Sequence, residues 1–308
     1  MDALEIIPGL IKIPLTIPRS GFESFVNAWL VQDKERQRTL LFECGPASAA
    51  ENLKADLEQL GVTKVDYLVL THVHLDHSGG AGQFIESFPG AKIITNPNGK
   101  KHLISPQRLV EESRRSMGDL CDAYGMPESV PVTALAEDGF ELEGLQVIET
   151  PGHASHHNSY VYDLDGSRIL FVGEAAGCCF ELSNACMFMR PATPHKFYYE
   201  DAITSIDELL SLHGISLVCY PHAGSSHNWK ELVKDARTQM GLWKEVIEKL
   251  PQDVSVSDAV AAVKKADPVM DILQYLPDND RKREEFFIKQ SVKGLMEYLD
   301  NRKEESNK

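Results

Sequence analysis

The stretch "THVHLDHSGG" (residues 71–80) carries three histidines and an aspartate within six positions. His72, His74, Asp76 and His77 are all metal-ligand side chains, a density unusual for an ordinary polar loop. The residues just before, "VDYLVLT" (65–71), form an apolar run of strand length. On an extended segment, side chains two apart point the same way, so His72 and His74 converge on one point. Asp76 and His77 follow where the chain turns into a helix opened by Gly79, Gly80 and Gly82. They aim at a neighbouring point. One loop thus serves two cation positions about 3.5–4 Å apart, the separation of two-metal hydrolytic sites.

Such a site needs further ligands, and three potential ones stand just beyond apolar strands. "LQVIET" (145–150) is followed by His153 in "TPGHASHH", "SRILFVG" (167–173) by Glu174, and "ISLVCY" (215–220) by His222 in "CYPHAG". Each has a glycine nearby that lets the backbone turn closely. His156 and His157 read either as surface groups or as partners that hold a ligand by its other ring nitrogen.

Around these motifs the pattern alternates. "TLLFE" (39–43) reads as a strand, and Leu53, Leu57 and Leu60 mark a helix over 47–60 that stops at Gly61. "AKIIT" (91–95) is a further strand, and this alternation is the grammar of an α/β layer. Residues 98–130 read as a helical, interrupted insertion near the site. Within it, 100–117 holds five basic residues against Glu111 and Glu112. "NSYVYDL" (158–164) and 167–173 are strands joined by a hairpin at "LDGS" (164–167). Helices are expected over 200–213 and 228–250. The composition shifts after Pro251. We therefore read 1–250 as the catalytic unit and 251–308 as a C-terminal helical extension, with a frayed end over 301–308.

The bulk numbers narrow the class. The chain has 308 residues, 43 % apolar and 25 % charged, which suits a globular protein with a well-buried core. A formal charge of −15 opposes phosphate backbones, so a nucleic-acid partner is not expected. No apolar run reaches the roughly 18–20 residues of a membrane helix, and the proline-broken N-terminus does not read as a signal peptide. The six cysteines show no C-x-x-C spacing and read as reduced thiols of a cytoplasmic protein. The expected partner is a small-molecule substrate. The helices after 251 are placed to cap a pocket or to form a homodimer contact.

The order H-x-H-x-D-H, then P-G-H, then F-x-G-[acid]-x-x-x-G, then a late P-H resembles the metallo-β-lactamase superfamily, from about residue 6 to 250. The resemblance implies a four-layer αβ/βα sandwich of two mixed sheets flanked by helices, with a dinuclear site at one edge. It implies that His72, His74 and His153 hold one metal and Asp76, His77 and His222 the other, with Glu174 as the bridging carboxylate. Two divalent ions are implied, zinc first, with iron or manganese compatible with the same ligands. The chain departs from the family twice: Glu174 stands where Asp is usual, and Glu43-Cys44-Gly45 where D-T-G is usual.

The chemistry implied is hydrolysis of an ester, thioester or lactone by metal-activated water, with Asp76 orienting that water or accepting its proton. The tone is that of glyoxalase II and the lactonase-like hydrolases. Iron-only electron-transfer members similar to this pattern carry a glutamate at the position of His74. Substrate contacts are expected from His195, Tyr198 and Arg190, and an anionic group from the 100–117 island or Arg190. The apolar stretch 177–191 reads as a pocket wall. Two other functions remain open: a mononuclear iron enzyme similar to sulfur dioxygenases, using His72, His153 and Glu174, and a non-catalytic binding protein on the same fold.

Overall fold

The computed structural model describes residues 3–183, 186–222 and 224–306, with the backbone alone at 181–183, 186–187 and 305–306. The first sheet begins as an antiparallel meander of β1 (Leu4–Ile7), β2 (Leu10–Leu15), β3 (Val26–Asp33) and β4 (Arg38–Phe42). The chain then crosses through α1 (Ala50–Gln59) to β5 (Tyr67–Val69), parallel to β4. Helices α2 (Leu75–Ser78) and α3 (Ala81–Ser87) return it to β6 (Lys92–Ile94), parallel to β5. The change from antiparallel to parallel pairing puts the carboxyl ends of β4 and β5 on one edge, where loops gather.

Three short helices, α4 (Lys100–Ile104), α5 (Gln107–Met117) and α6 (Leu120–Tyr124), fill the expected insertion. The second sheet is built from β7 (Leu145–Glu149), β8 (Asn158–Leu164) and β9 (Ser167–Phe171). The turn between β8 and β9 uses Asp165 and Gly166, both at positive φ, as the hairpin signal requires. A separate hairpin, β10 (Cys178–Ser183) with β11 (Cys186–Arg190), precedes α7 (Tyr199–Leu210). Strand β12 (Ile215–Cys219) joins β9 in parallel, and β13 (Ser225–Ser226) completes the sheet. Helices α8 (Trp229–Glu248), α9 (Val256–Ala266) and α10 (Asp278–Ser306) follow. No helix among the described residues is long and apolar enough to cross a membrane.

The two sheets pack face to face. Alternate residues of β3 and β4 (Trp29, Val31, Leu40, Phe42) meet those of β8 and β9 (Tyr160, Tyr162, Ile169, Phe171) in a buried layer. Phe42 and Phe171 stack at its centre with centroids 3.6 Å apart. The opposite faces (Leu30, Leu41, Leu68, and Val161, Leu170, Val218) lie under helices. Burial on both faces explains why these strands read as continuous apolar runs rather than alternating ones. This is the four-layer sandwich that the resemblance implied.

Some elements differ from the sequence reading. Strands β1 to β3 carried no expectation, because prolines and polar residues break their apolar runs; Pro14 lies inside β2. The segment 177–191 is a hairpin of its own, and Asn184 within it lies outside the described residues. The C-terminal end is exposed at 301–304 but helical to Ser306, as a continuation of α10 rather than a frayed tail. Cys44, Cys121, Cys178, Cys179 and Cys219 are buried and form no disulfide among the described residues, and the side chain of Cys186 lies outside them.

The C-terminal helices share the main core rather than standing apart from it. Asp267 accepts from Gln239 Nε2 (2.8 Å) and Trp243 Nε1 (2.7 Å) of α8, while its other oxygen caps the following 3-10 turn through Val269 N–H. A Cβ at Gly294 would lie 2.0 Å from the Thr193 carbonyl, so only glycine lets α10 approach that segment. Arg190 of β11 pairs with Glu284 of α10 at 2.7 Å, both side chains almost wholly buried. The guanidinium lies over the Phe287 ring, 4.8 Å from its centroid. Glu284→Ala strands the Arg190 charge and is expected to cost about 3–5 kcal/mol of stability. The double change Arg190→Met/Glu284→Leu removes both charges and should recover much of that loss. Chemical denaturation of the two variants checks both outcomes.

Candidate metal centre

Four loops bring the site together, each leaving the carboxyl end of a strand in one of the two sheets. The loop after β5 delivers His72, His74, Asp76 and His77; those after β7, β9 and β12 deliver His153, Glu174 and His222. All seven residues named from the sequence lie together. His72, His74, His153 and Glu174 present ligand atoms within 4.8 Å of one another, as do Asp76, His77 and His222.

Glu174 sits between the two groups. Its Oε2 lies 3.4 Å from His72 Nε2, 3.0 Å from His153 Nε2 and 3.2 Å from His77 Nε2. Its Oε1 faces His222 Nε2 at 3.6 Å. Asp76 Oδ2 lies 3.8 Å from His77 Nε2 and 3.7 Å from His222 Nε2. His74 turns its other nitrogen inward: Nδ1 is 3.0 Å from both His72 Nε2 and His153 Nε2.

The outer nitrogens fix which atoms face inward. His153 Nδ1 donates to the Ala192 carbonyl (2.9 Å) and His222 Nδ1 to the Phe25 carbonyl (3.0 Å). A carbonyl only accepts, so the ring proton sits on Nδ1 and Nε2 keeps a bare lone pair. His72 follows the same logic through Thr71. The Thr71 hydroxyl donates to Glu43 Oε1 at 2.5 Å and accepts from His72 Nδ1 at 3.0 Å. Three Nε2 lone pairs and two carboxylates thus converge in a buried space. Acceptors outnumber the protons available to them, and a cation is what satisfies such a donor set. The residues fit a divalent metal.

Titration tells the same story. Burial drives His72 and His74 well below the usual imidazole range, with neighbouring imidazoles adding to the effect. His77 runs the other way. Burial depresses it, but Asp76, Glu174 and Glu43 together lift it well above an ordinary imidazole.

Glu43 occupies the altered early motif. It adopts a left-handed backbone (φ 62°) immediately after β4, a strained conformation for a side-chain-bearing residue. From there its carboxylate reaches both Thr71 and, at 3.7 Å, His77 Nδ1. Cys178, close to the ligands by sequence, read only as a buried thiol; in the structure its thiol donates to Glu174 Oε1 at 3.1 Å and belongs to a third possible ligand group with Glu174 and His222. Tyr124 of α6 is also new to the site. Its hydroxyl is buried without a hydrogen-bond partner, and burial, Asp76 and Glu174 raise its pKa well above the ordinary phenol. An apolar strand gives no sequence signal for a thiol at its first residue, nor a helical insertion for an inward phenol.

The expected substrate contacts fare differently. Arg190 is enclosed and committed to Glu284, so it offers no open guanidinium to a substrate. His195 is exposed and paired with Glu297 of α10 at 2.6 Å. Tyr198 is exposed, and its backbone N–H bonds the Gly152 carbonyl just before His153. Within the cationic island, Arg114 is taken up by Asp122 at 2.6 Å. His156 lies at the outer side of His74 (ring centroids 6.1 Å) and next to His102 (6.0 Å). Burial first, then His102, pushes His156 down to about 4.

Comparisons with known proteins agree with this geometry. The family model described as "Metallo-beta-lactamase superfamily" matches residues 21–222. A metallo-beta-lactamase fold-containing protein of Sulfurisphaera tokodaii is 31 % identical over 171 residues, covering 52 % of this chain and 61 % of that protein. A hydroxyacylglutathione hydrolase of Haemophilus influenzae is 30 % identical over 161 residues, covering 51 % and 69 %. The match spans 61 % and 66 % of the first two curated relatives' own lengths. Among solved structures, an archaeal metallo-beta-lactamase superfamily protein from Sulfolobus tokodaii shares the fold with a TM-score of 0.68 at 23 % identity, covering 94 % of this chain and 98 % of that one. A family protein from Thermus thermophilus shares it with a TM-score of 0.65 at 21 % identity, covering 97 % and 95 %. With its ligand blocks in order and gathered at one edge of the sandwich, this chain belongs to the metallo-beta-lactamase superfamily.

Proposed function

We propose that the protein is a dinuclear-metal-dependent hydrolase that cleaves an ester, thioester or lactone of a small anionic substrate. The observation that carries this reading is the Glu174 carboxylate, set within 3.0–3.6 Å of four histidine Nε2 atoms from two ligand groups. Its Oε2 lies near histidines of both groups and its Oε1 near His222, which suits a shared ligand. His72, His74 and His153 hold one metal in this reading, and Asp76, His77 and His222 the other. Bound divalent metals, zinc first, supply Lewis acidity that polarises a carbonyl and makes water a nucleophile near neutral pH. The relatives named hydroxyacylglutathione hydrolases support an acyl-transfer substrate.

The chain's own residues then have distinct tasks. Asp76 has one oxygen near both His77 and His222, where it can orient an attacking water and take its proton. Tyr124 offers the one phenol of the insertion whose hydroxyl is buried and unpartnered, a donor available to a substrate oxygen. The Glu174 side chain is itself buried, which limits the access of bulk water to the carboxylate.

The negative charge of the substrate is inferred from the lip of the site. His102, beside His156, lies in the field of Lys101, Arg108 and Lys196, with Glu112 acting against them. Glu112 pairs with Arg108 at 3.0 Å and Lys196 at 3.7 Å, so the lip keeps an excess of positive charge. The basic residues near the mouth are therefore Lys101, Arg108 and Lys196 rather than Arg114.

Three outcomes test the reading. Elemental analysis of protein purified without chelators should give two divalent metals per chain; one iron per chain with oxygen uptake would favour the dioxygenase-like alternative instead. His72→Ala should abolish hydrolysis across a thioester and lactone panel while circular dichroism stays unchanged, and retained turnover would contradict the role given to His72. Lys101→Glu with Lys196→Glu should raise KM for an anionic thioester several-fold, on the order of 1 kcal/mol of lost attraction, and leave a neutral ester unaffected. Equal effects on both substrates would remove the charge argument.

A further inference from the structure

The backbone that carries Glu174 is gripped from two sides by one directed chain of hydrogen bonds. Glu174 N–H donates to His157 Nε2 at 3.0 Å. A backbone amide can only donate, so Nε2 is bare and the ring proton sits on Nδ1. Nδ1–H donates in turn to Thr150 Oγ1 at 2.8 Å. The Thr150 hydroxyl then gives its proton to Ser159 Oγ at 3.0 Å, and Ser159 O–H donates to the Val172 carbonyl at 2.9 Å. The chain leaves at the Glu174 amide and returns two residues earlier. Its directions are fixed from both ends, by the Glu174 amide, which only donates, and by the Val172 carbonyl, which only accepts.

Every side chain in this relay is fully buried. The imidazole lies flush against Gly173, where an added Cβ would fall 2.4 Å from His157 Nε2. Gly173 also sits at φ +58°, so glycine is required twice over, for the ring and for the turn. Burial keeps His157 well below the ordinary imidazole range, the direction a bare Nε2 needs. His157 touches the backbone of Glu174, not its carboxylate. Its other surroundings serve the same loop: the Thr150 amide bonds the His157 carbonyl, and the Asn158 amide bonds the Thr71 carbonyl just before His72.

We propose that His157 is a positioning residue, a neutral Nδ1–H imidazole that fixes the backbone from Val172 to Glu174 and so aims the Glu174 carboxylate between the two histidine groups. A glutamate has one more rotatable bond than an aspartate, so a shared ligand of this length needs its backbone held more firmly. Cys178 restrains the far end of the same side chain through its bond to Oε1. This inference rests on Glu174 being the ligand common to both metals.

The tautomer can be read without metal or substrate. A long-range proton–nitrogen correlation spectrum of the metal-free protein should show His157 neutral, with Nδ1 protonated and Nε2 bare; a proton on Nε2 would overturn the proposal. Three variants then separate position from bulk. His157→Gln places an acceptor near the Nε2 position, His157→Asn reaches only the Nδ1 position, and His157→Phe fills the space with no acceptor. With circular dichroism confirming the fold, Phe and Asn should weaken zinc binding at both positions on the order of 10–100-fold, measured by chelator competition. Gln should stay close to the parent protein. Parent-like zinc affinity in the folded Phe variant, or Gln behaving as Asn does, would overturn the assignment. Zinc binding without any ester cleavage would refute the hydrolase reading and leave this one standing on its own data; a chain that binds no zinc would end both.

Discussion

A carboxylate buried among imidazoles whose outer nitrogens are already spoken for is the constraint around which this molecule is arranged. Glu174 loses nearly all its hydration and gains no hydrogen from His72, His153 or His222, because each of those rings spends its proton outward, on Thr71, Ala192 or Phe25. Desolvated charge without compensation is among the most costly features a fold can hold. The outward acceptors are therefore part of the chemistry. They set the tautomers, and the tautomers leave lone pairs where a cation belongs.

Holding that arrangement requires both sheets. His222 hangs on the carbonyl of Phe25, and Asn27 N–H reaches the Pro221 carbonyl at 2.7 Å, so the first sheet braces a ligand of the second. Trp29 does the same from inside the sandwich, donating its indole N–H to the Tyr220 carbonyl. In return, the second sheet braces the first loop through Asn158 and Thr71. The stacked Phe42 and Phe171 sit one layer below, directly under the residues that lead to Glu43 and Glu174. Packing of this density transmits position rather than absorbing it, which is how ligands from four loops can meet within a few ångströms.

The two glutamates that depart from the family pattern approach opposite ring nitrogens of His77. Glu43 grips Thr71 and approaches His77 from beneath, while Glu174 occupies the centre. Both carry an extra methylene, and each shows its own accommodation. Glu43 takes up a left-handed backbone, and Glu174 is restrained at its amide by His157 and at its carboxylate by Cys178. The C-terminal helices reach the same neighbourhood through Arg190, whose register partner on β10 is Cys178. A charge pair far along the chain, Arg190 with Glu284, thereby anchors the strand that carries the thiol.

The seven clustered residues were legible in the sequence because ligand chemistry is local: a histidine two residues from another on a strand must point the same way, and a ligand beside a glycine at a strand end must face the loop edge. The sandwich followed only from the family resemblance that those blocks carry. The helices declared themselves through periodicity. Strands β1 to β3 did not, since Pro14 and the polar residues interrupt a pattern that only pairing completes. Arg190 looked available because an arginine in an apolar run carries no mark of its partner; Glu284 stands 94 residues away and meets it only when α10 folds back. His156 and His157 are adjacent and chemically identical in sequence, yet one lies at the lip and the other lies beneath Glu174. What the sequence determined was which groups are capable of binding a cation. What the tertiary structure decided was the direction of each proton, because a hydrogen bond acquires its donor and its acceptor only when distant segments are brought together.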